Sequence, residues 1–132
     1  MTVMTGTVPD EVEELLTGDP QTGYLATSTD DRPHVAPLWF RYEAGTVEVM
    51  TTGRKLANVR ENPRVSLAVQ AGSAGDPDWM VTLRGTAEVI EDGAENREAS
   101  RRINDRYGAE PDAWSENTLV RIDVGSVSYR TY

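Results

Sequence analysis

The sequence contains no cysteine, one histidine, one lysine and one phenylalanine among its 132 residues. Without cysteine the chain can form no disulfide, no thiolate nucleophile and no cysteine-ligated metal or iron–sulfur site. No apolar run approaches the roughly 18 residues of a membrane-spanning helix. The first residues, MTVMTGTVPDEVEELL, lack the basic and apolar regions of a signal peptide. We therefore expect a single cytoplasmic domain over residues 1–132 that does not contact a membrane.

Positive charge is also scarce: the chain has 13 Lys and Arg and 22 Asp and Glu, which gives a net charge of −9. A surface of this sign repels a polyanion, so we expect no nucleic-acid partner. The acidic residues are spread over several segments, which is typical of a solvated surface. Acidity with almost no lysine resembles the proteins of salt-loving archaea, and an ordinary acidic cytoplasmic protein is the alternative.

Side-chain catalysis has few candidates in this composition. A Ser-His-Asp hydrolase would have to use His34, and no G-x-S-x-G turn is present to hold its serine. The sequence has neither a P-loop nor a G-x-G-x-x-G motif, and no recognisable spacing of metal ligands. We therefore expect no catalytic side chain and no metal site, and any reactivity would come from a bound cofactor.

The pattern of apolar residues predicts a mainly β domain with peripheral helices. Short strands joined by hairpin-length loops indicate an antiparallel sheet, and about six of them closing on themselves indicate a barrel. Pro37 favours an edge strand, a bulge, or a strand whose backbone contacts something other than a neighbouring strand. Gly85 suggests a bulge or bend. The predicted strands are GYLATST, HVAPLWFRY, TVEVMTT, RVSLAVQA, WMVTLRGTAEVIE and the C-terminal TLVRIDVGSVSYRTY; the predicted helices are a short one between Thr7 and Gly18, RKLANVREN and GAENREASRRINDRYG.

The only lysine, Lys55, follows a Thr-Thr-Gly turn at the start of a predicted helix. The free N–H groups and the dipole at a helix N-terminus favour an anion, and Thr51 and Thr52 add hydroxyl donors. The alternative is that Lys55 and Arg54 only solvate the helix start, but cations there cost about 0.3–1 kcal/mol each. We therefore predict a phosphate-type ligand, with Arg60 as a less certain supporting cation.

A second candidate is the stretch RPHVAPLWF. A proline within a strand frees neighbouring N–H and C=O groups, which could face a flat heteroaromatic ring that Trp39 covers. The alternative is an edge strand with a tryptophan in the core. His34 alone is more often a structural or surface histidine than an acid–base group.

These two stretches together resemble the FMN-binding split-barrel family, which includes the pyridoxamine 5′-phosphate oxidase-like proteins and the flavin/deazaflavin oxidoreductases. The resemblance covers residues 23–70 and rests on LAT, RPHVAP and the K-x-x-N-(apolar)-R-x-(N/D)-P-R-(apolar) pattern that begins at Lys55. It implies a six-stranded antiparallel split β-barrel. The chain ends SVSYRTY instead of in the Arg- and Trp-containing substrate motif of true pyridoxamine-phosphate oxidases, which argues against that particular activity.

The resemblance also implies a function. The chain would form a homodimer with a cofactor at each of two interface sites, either FMN or the 8-hydroxy-5-deazaflavin coenzyme. It would transfer a hydride to or from a small-molecule redox substrate. The alternatives are a non-catalytic flavin- or haem-binding carrier or sensor, and a barrel that binds nothing. The expected cofactor-binding residues are His34, Val35, Ala36, Pro37, Leu38, Trp39, Thr51, Thr52, Arg54, Lys55, Arg60 and, from the partner's later strand, Trp79.

Overall fold

The computed structural model describes the backbone of residues 2–5 and 7–132, and side chains from residue 7 onward. This part of the chain forms eight strands and three helices. In chain order they are β1 (Thr2–Thr5), α1 (Asp10–Thr17), β2 (Gly23–Thr29), β3 (Arg32–Leu38), β4 (Phe40–Glu43), β5 (Thr46–Thr51), α2 (Gly53–Glu61), β6 (Arg64–Ser73), β7 (Asp76–Ile90), α3 (Gly93–Arg106) and β8 (Thr118–Thr131).

The strands form one antiparallel sheet in the order β3-β2-β6-β7-β8-β5-β4, with β1 also paired to β8. The strands at the two ends of this order, β3 and β4, are consecutive in the chain and separated only by Trp39, so the sheet returns on itself as a split barrel. The predicted fold class is confirmed, but the count of six strands is wrong. The run HVAPLWFRY divides at Trp39 into two edge strands, and residues 2–5 add a short strand outside the predicted set.

The two longest strands, β7 and β8, pair with each other along most of their length. Their register shifts between Arg84 and Gly85, which is the irregularity that the glycine predicts. A Cβ at Gly85 would collide with the carbonyl oxygen of Asp123, so no larger residue fits this close approach of two backbones.

The core lies inside the barrel and is formed by alternating residues of the strands. Leu25, Leu67 and Leu83 are each no more than 1% exposed and meet across β2, β6 and β7. Helix α1 adds Val12 and Leu16 to this core. Burying side chains of this size stabilises the fold by about 1.5–3 kcal/mol each before the entropy cost of folding. Helix α2 lies against β2 and β3, and α3 contacts β4, β5 and β8.

One charged side chain is also buried. Glu48 on β5 is 5% exposed and forms ion pairs with Arg41 at 3.0 Å, Arg102 at 3.1 Å and Arg121 at 3.1 Å. Burial alone would raise the pKa of the Glu48 carboxyl, but hydrogen bonds and charge from Arg121, Arg102 and Arg41 outweigh it and hold that pKa below its usual range. The cluster ties β4, β5, β8 and α3 together.

Candidate functional site

A cavity of about 210 Å³ opens where β3 and β5 end and α2 begins, and we call it the central cavity. Helix α3 and the segment before β8 form its other wall. Polar side chains line it both at the start of α2 and on the α3 wall, and two tryptophans contribute aromatic rings. The lining residues are Pro37, Leu38, Trp39, Met50, Thr51, Thr52, Lys55, Ser100, Ile103, Asn104, Trp114 and Asn117.

The α2 end of the central cavity carries unused hydrogen-bond donors. Thr52 is the N-cap residue of α2, yet no side chain caps the helix and its first turn has no acidic residue. Thr51 is 1% exposed, and its Oγ1 has no hydrogen-bond partner. Gly53 makes the turn with a φ of 65°. Half-buried Lys55 lies in the first turn of α2 and lines the same cavity. This set of donors is suited to a phosphate oxygen.

Trp39 and Trp114 give the central cavity its aromatic part. The ring of Trp39 stacks on Tyr107, with centroids 4.8 Å apart and planes 6° from parallel. Trp114 meets Trp39 edge to face at 6.2 Å. The Tyr107 hydroxyl donates to the Gln21 carbonyl at 2.6 Å and accepts from the Phe40 N–H, and burial raises its pKa. These contacts fix the plane of Trp39 before any ligand arrives.

Residues 109–117 form a loop that folds back over α3, and we call it the roof loop. The buried Asn104 side chain holds it by donating to the carbonyls of Pro111 at 3.2 Å and Ala113 at 2.9 Å. Trp114 has a φ of 60°, which an ordinary side chain rarely adopts. Its ring is still 54% exposed. The loop therefore adopts a strained backbone conformation at Trp114, and this conformation places an aromatic ring at the mouth of the cavity.

The structure brings half of the predicted site residues together in the central cavity. Those that line it are Pro37, Leu38, Trp39, Thr51, Thr52 and Lys55. Those that lie outside it are His34, Val35, Ala36, Arg54, Arg60 and Trp79. The Arg60 guanidinium pairs with Glu91 at 2.8 Å, and Arg54 is exposed. Trp79 packs against the barrel core from β7.

The first part of β3 presents its backbone along an open sheet edge. Pro33 and Pro37 have no N–H, and proline is tolerated in an edge strand where its nitrogen faces away from the ladder. Val35 shares that side, so its N–H and the neighbouring carbonyls are available to a ligand or a second chain. The Val35 side chain is 64% exposed. His34 points to the other face, where its Nδ1 is buried without a hydrogen-bond partner.

Half of the residues that line the central cavity were not predicted as site residues. Met50 belongs to a predicted strand, and Ser100, Ile103 and Asn104 belong to a predicted helix for which no role in the site was predicted. Trp114 and Asn117 lie in PDAWSEN, where a tryptophan between polar residues was the one available signal. Asn104 could not be recognised because its partners are carbonyl groups of the roof loop, which carry no sequence information.

Neither a metal site nor a membrane span is found in the described residues. Within residues 2–5 and 7–132 no three His, Cys, Asp or Glu side chains come close enough to hold a metal ion together. None of the helices in that part of the chain has the length and apolarity needed to cross a bilayer.

Residues 8–130 match the model of the pyridoxamine 5′-phosphate oxidase family. Comparison with curated proteins gives no match. Several solved structures share the fold over nearly the whole chain. An FAD-binding protein from Mesorhizobium loti is 26% identical with a TM-score of 0.77, over 100% of this chain and 99% of that one.

Two further structures are similar at comparable identity. An FAD-binding protein from Mycobacterium smegmatis is 25% identical with a TM-score of 0.67, over 99% of both chains. A protein described as an F420 reductase is 27% identical with a TM-score of 0.68, over 89% of this chain and 94% of that one.

Proposed function

Because the chain belongs to the pyridoxamine 5′-phosphate oxidase family, we propose that it is an oxidoreductase that holds FMN, or a deazaflavin in its place, and passes a hydride to or from a small molecule. The observation that carries this proposal is the unpartnered, buried hydroxyl of Thr51 beside the uncapped N-terminus of α2 and Lys55. A buried hydroxyl without a partner costs about 1–3 kcal/mol, which a bound phosphate would recover.

The donors at the α2 end would hold the phosphate. Lys55 supplies a charge, Thr51 and Thr52 supply hydroxyls, and the first turn of α2 supplies N–H groups. The backbone groups at the free edge of β3, at Val35, would face the cofactor ring. The fixed ring of Trp39 would form one wall of the site. The flavin or deazaflavin ring supplies the hydride chemistry when bound. Anchoring the phosphate at a distance from the ring orients the reactive part without taking part in the reaction.

The central cavity supports a mechanism without a side-chain acid or base. Lys55 is the only titratable residue among those that line it. Lys55 lies in the first turn of α2, where we propose that the phosphate binds. The chain's own contribution is thus binding, orientation and exclusion of water, with the backbone N–H of Val35 on the free edge of β3 available to charge that develops on the ring. The FAD-binding proteins and the F420 reductase among the similar structures agree with a cofactor of this class.

We further propose that two copies of the chain complete the site. A volume of about 210 Å³ lies below the roughly 300–1,000 Å³ of pockets that enclose a whole ligand. Tyr24 and Val35 lie on the same outer face of β2 and β3 and are 48% and 64% exposed. A second copy on this face would cover both side chains and close the space beside the edge of β3.

The proposal is tested on the purified protein by identifying what heat releases from it. Mass spectrometry distinguishes FMN from deazaflavin, and reduction by NAD(P)H with turnover onto an acceptor distinguishes an enzyme from a carrier or sensor. Lys55→Ala should weaken retention of the cofactor by about 10- to 100-fold, because a charge-assisted hydrogen bond contributes about 1.5–3 kcal/mol. Its melting temperature should change little.

The matched control is Arg32→Ala, which removes an exposed cation outside the central cavity. It should leave retention unchanged. A Lys55→Ala protein that holds the cofactor as tightly as the unmodified chain would overturn the proposed phosphate site. A protein that takes up neither FMN nor deazaflavin would overturn the proposed function.

A further inference from the structure

The side of the central cavity that α3 and the end of the roof loop form is polar, and the proposed function assigns it no role. Ser100, Asn104 and Asn117 line it, and we call these three side chains the polar wall. Ser100 is 9% exposed and Asn104 is 2% exposed, and the two lie one helical turn apart on the same face of α3. A buried polar group that is left unpaired costs stability, so unused groups on these side chains mark a candidate binding site.

All three side chains of the polar wall keep hydrogen-bonding groups that the described part of the chain does not use. The Ser100 hydroxyl accepts from Asn104 at 3.5 Å and donates to no described group. The Asn104 side chain donates through Nδ2, and its Oδ1 accepts no hydrogen bond from residues 7–132. The described atoms that are buried without a partner do not include this oxygen, so a ligand in the cavity can reach it. The Asn117 side chain also only donates within these residues, to the Met50 carbonyl at 3.5 Å.

The polar wall differs in chemistry from the start of α2. Lys55 brings a positive charge there and the free N–H groups of α2 are donors only, which suits a phosphate. The polar wall carries no charge, and it presents both a donor and acceptors. A hydroxyl group likewise donates and accepts, whereas the oxygens of an ionised phosphate accept. The polar wall therefore matches a neutral part of a ligand that bears hydroxyl groups.

The size of the central cavity indicates which part of the proposed cofactor lies beside the polar wall. A volume of about 210 Å³ is too small to enclose a whole FMN or deazaflavin molecule. The phosphate would occupy the start of α2, and Val35, which would face the ring, does not line the cavity. In both cofactors a ribityl chain that bears hydroxyl groups joins the ring to the phosphate. This chain is therefore the part that would span the rest of the cavity.

We propose that the polar wall binds the ribityl chain of the cofactor, through the Ser100 hydroxyl and the side-chain oxygens of Asn104 and Asn117. This inference rests on the proposed function, and it adds cofactor-binding residues from α3 and the roof loop. A cofactor that is held at its hydroxyl groups as well as at its phosphate has fewer positions open to its ring. The polar wall thus helps to position the ring.

The test compares three forms of whichever ring the protein retains: the ring with a methyl group in place of its side chain, the ring with the ribityl chain, and the ribityl phosphate. For a flavin these are lumiflavin, riboflavin and FMN. Fluorescence titration of the protein, after its own cofactor has been removed, measures the three affinities.

Ser100→Ala should weaken the two ribityl forms equally, by about 2- to 10-fold, as the loss of one neutral hydrogen bond implies, and should leave the methyl form unchanged. Ser100→Ala/Asn117→Ala should enlarge the loss for the ribityl forms alone. Lys55→Ala should give the complementary pattern, because it should weaken the phosphate form and leave the other two forms unchanged.

The matched control is Ser115→Ala, which removes an exposed hydroxyl of the roof loop that does not line the central cavity. It should change none of the three affinities. Asn104 is kept in every variant because its Nδ2 also holds the roof loop. Unchanged binding of the ribityl forms in the double variant would overturn the proposal. An equal loss for the methyl form would also overturn it, since the substitution would then act on the whole site and not on the ribityl chain.

The same titrations separate this inference from the proposed function. If the unmodified protein binds neither FMN nor the deazaflavin phosphate, the proposed function fails, and this inference fails with it. If it binds one of them and the double variant keeps the full affinity for the ribityl forms, only the role of the polar wall is wrong.

Discussion

At the scale of single residues, Glu48 is an ionisable side chain that the fold buries almost completely. It is a carboxylate inside the protein that three guanidinium groups from distant parts of the chain surround. In a strand with alternating apolar residues, a side chain between Val47 and Val49 ordinarily faces solvent. The sequence TVEVMTT therefore predicts an exposed Glu48 and not a buried one. The pairing could not be read from sequence because its arginines lie 7 residues before it and 54 and 73 residues after it.

Replacing this carboxylate should destabilise the fold strongly at neutral pH. Glu48→Gln leaves three arginines without their anion, and we expect the free energy of unfolding to fall by about 3–5 kcal/mol, as when one partner of a buried pair is removed. Urea denaturation measures the loss. Glu43→Gln is the control, since that side chain is 69% exposed and pairs only with Arg41, so its loss should stay below about 1 kcal/mol.

The effect of Glu48 should also depend on pH. Because its pKa is lowered in the fold, the carboxylate stabilises the protein fully above the ordinary value of 4.5, and this share is lost as the pH falls below that value towards the folded pKa. The difference between the unmodified protein and Glu48→Gln should therefore shrink on acidification. A difference that stays constant from pH 7 to pH 3 would contradict the ionised cluster.

At the scale of elements, the helices were easier to predict than the ends of the strands. Helix α2 was predicted from Gly53 and from Asn62-Pro63, and it ends at Glu61 with Asn62 as its C-cap. The division of β3 from β4 was not predicted, because Trp39 has a high strand propensity and the interruption comes from closure of the barrel. Likewise the donors at the α2 end of the central cavity were predicted from local sequence, whereas the contact of Trp39 with Trp114 depends on the roof loop.

The roof loop should depend on a single buried amide. Asn104→Ala removes both hydrogen bonds to the loop and leaves two carbonyls without their donor, so we expect a loss of about 1–3 kcal/mol in the free energy of unfolding. Hydrogen exchange in residues 109–117 should increase more than elsewhere. Asp105→Ala, at an exposed neighbouring position, is the control. Unchanged exchange in the loop would show that Asn104 does not anchor it.

At the scale of the whole molecule, the proposed dimer can be tested through its outer face. Tyr24→Glu places a charge on the exposed apolar surface of β2, and we expect it to shift the protein to monomers in analytical ultracentrifugation. Retention of the cofactor should fall with it, since the closing surface is lost. Ala57→Glu adds the same charge at an exposed position on α2 and should leave the dimer intact. A single sedimenting species of unchanged mass in Tyr24→Glu would reject this interface.

Other predictions for the whole molecule come only from composition. A net charge of −9 with one lysine predicts a salt-adapted or acidic cytoplasmic protein, and both readings stay predictions. The family, by contrast, follows from the ordered motifs of residues 23–70 and agrees with the match over residues 8–130.

The pair of prolines in β3 has a consequence for the protein at high concentration. Growth of a filament by strand addition needs an exposed edge with an uninterrupted row of amide donors. Between Pro33 and Pro37 that row contains one donor, at Val35, and the opposite edge strand, β4, is only four residues long. These two edges therefore offer few amide donors to a further strand, so we expect strand addition at β3 and β4 to contribute little to polymer growth at high concentration.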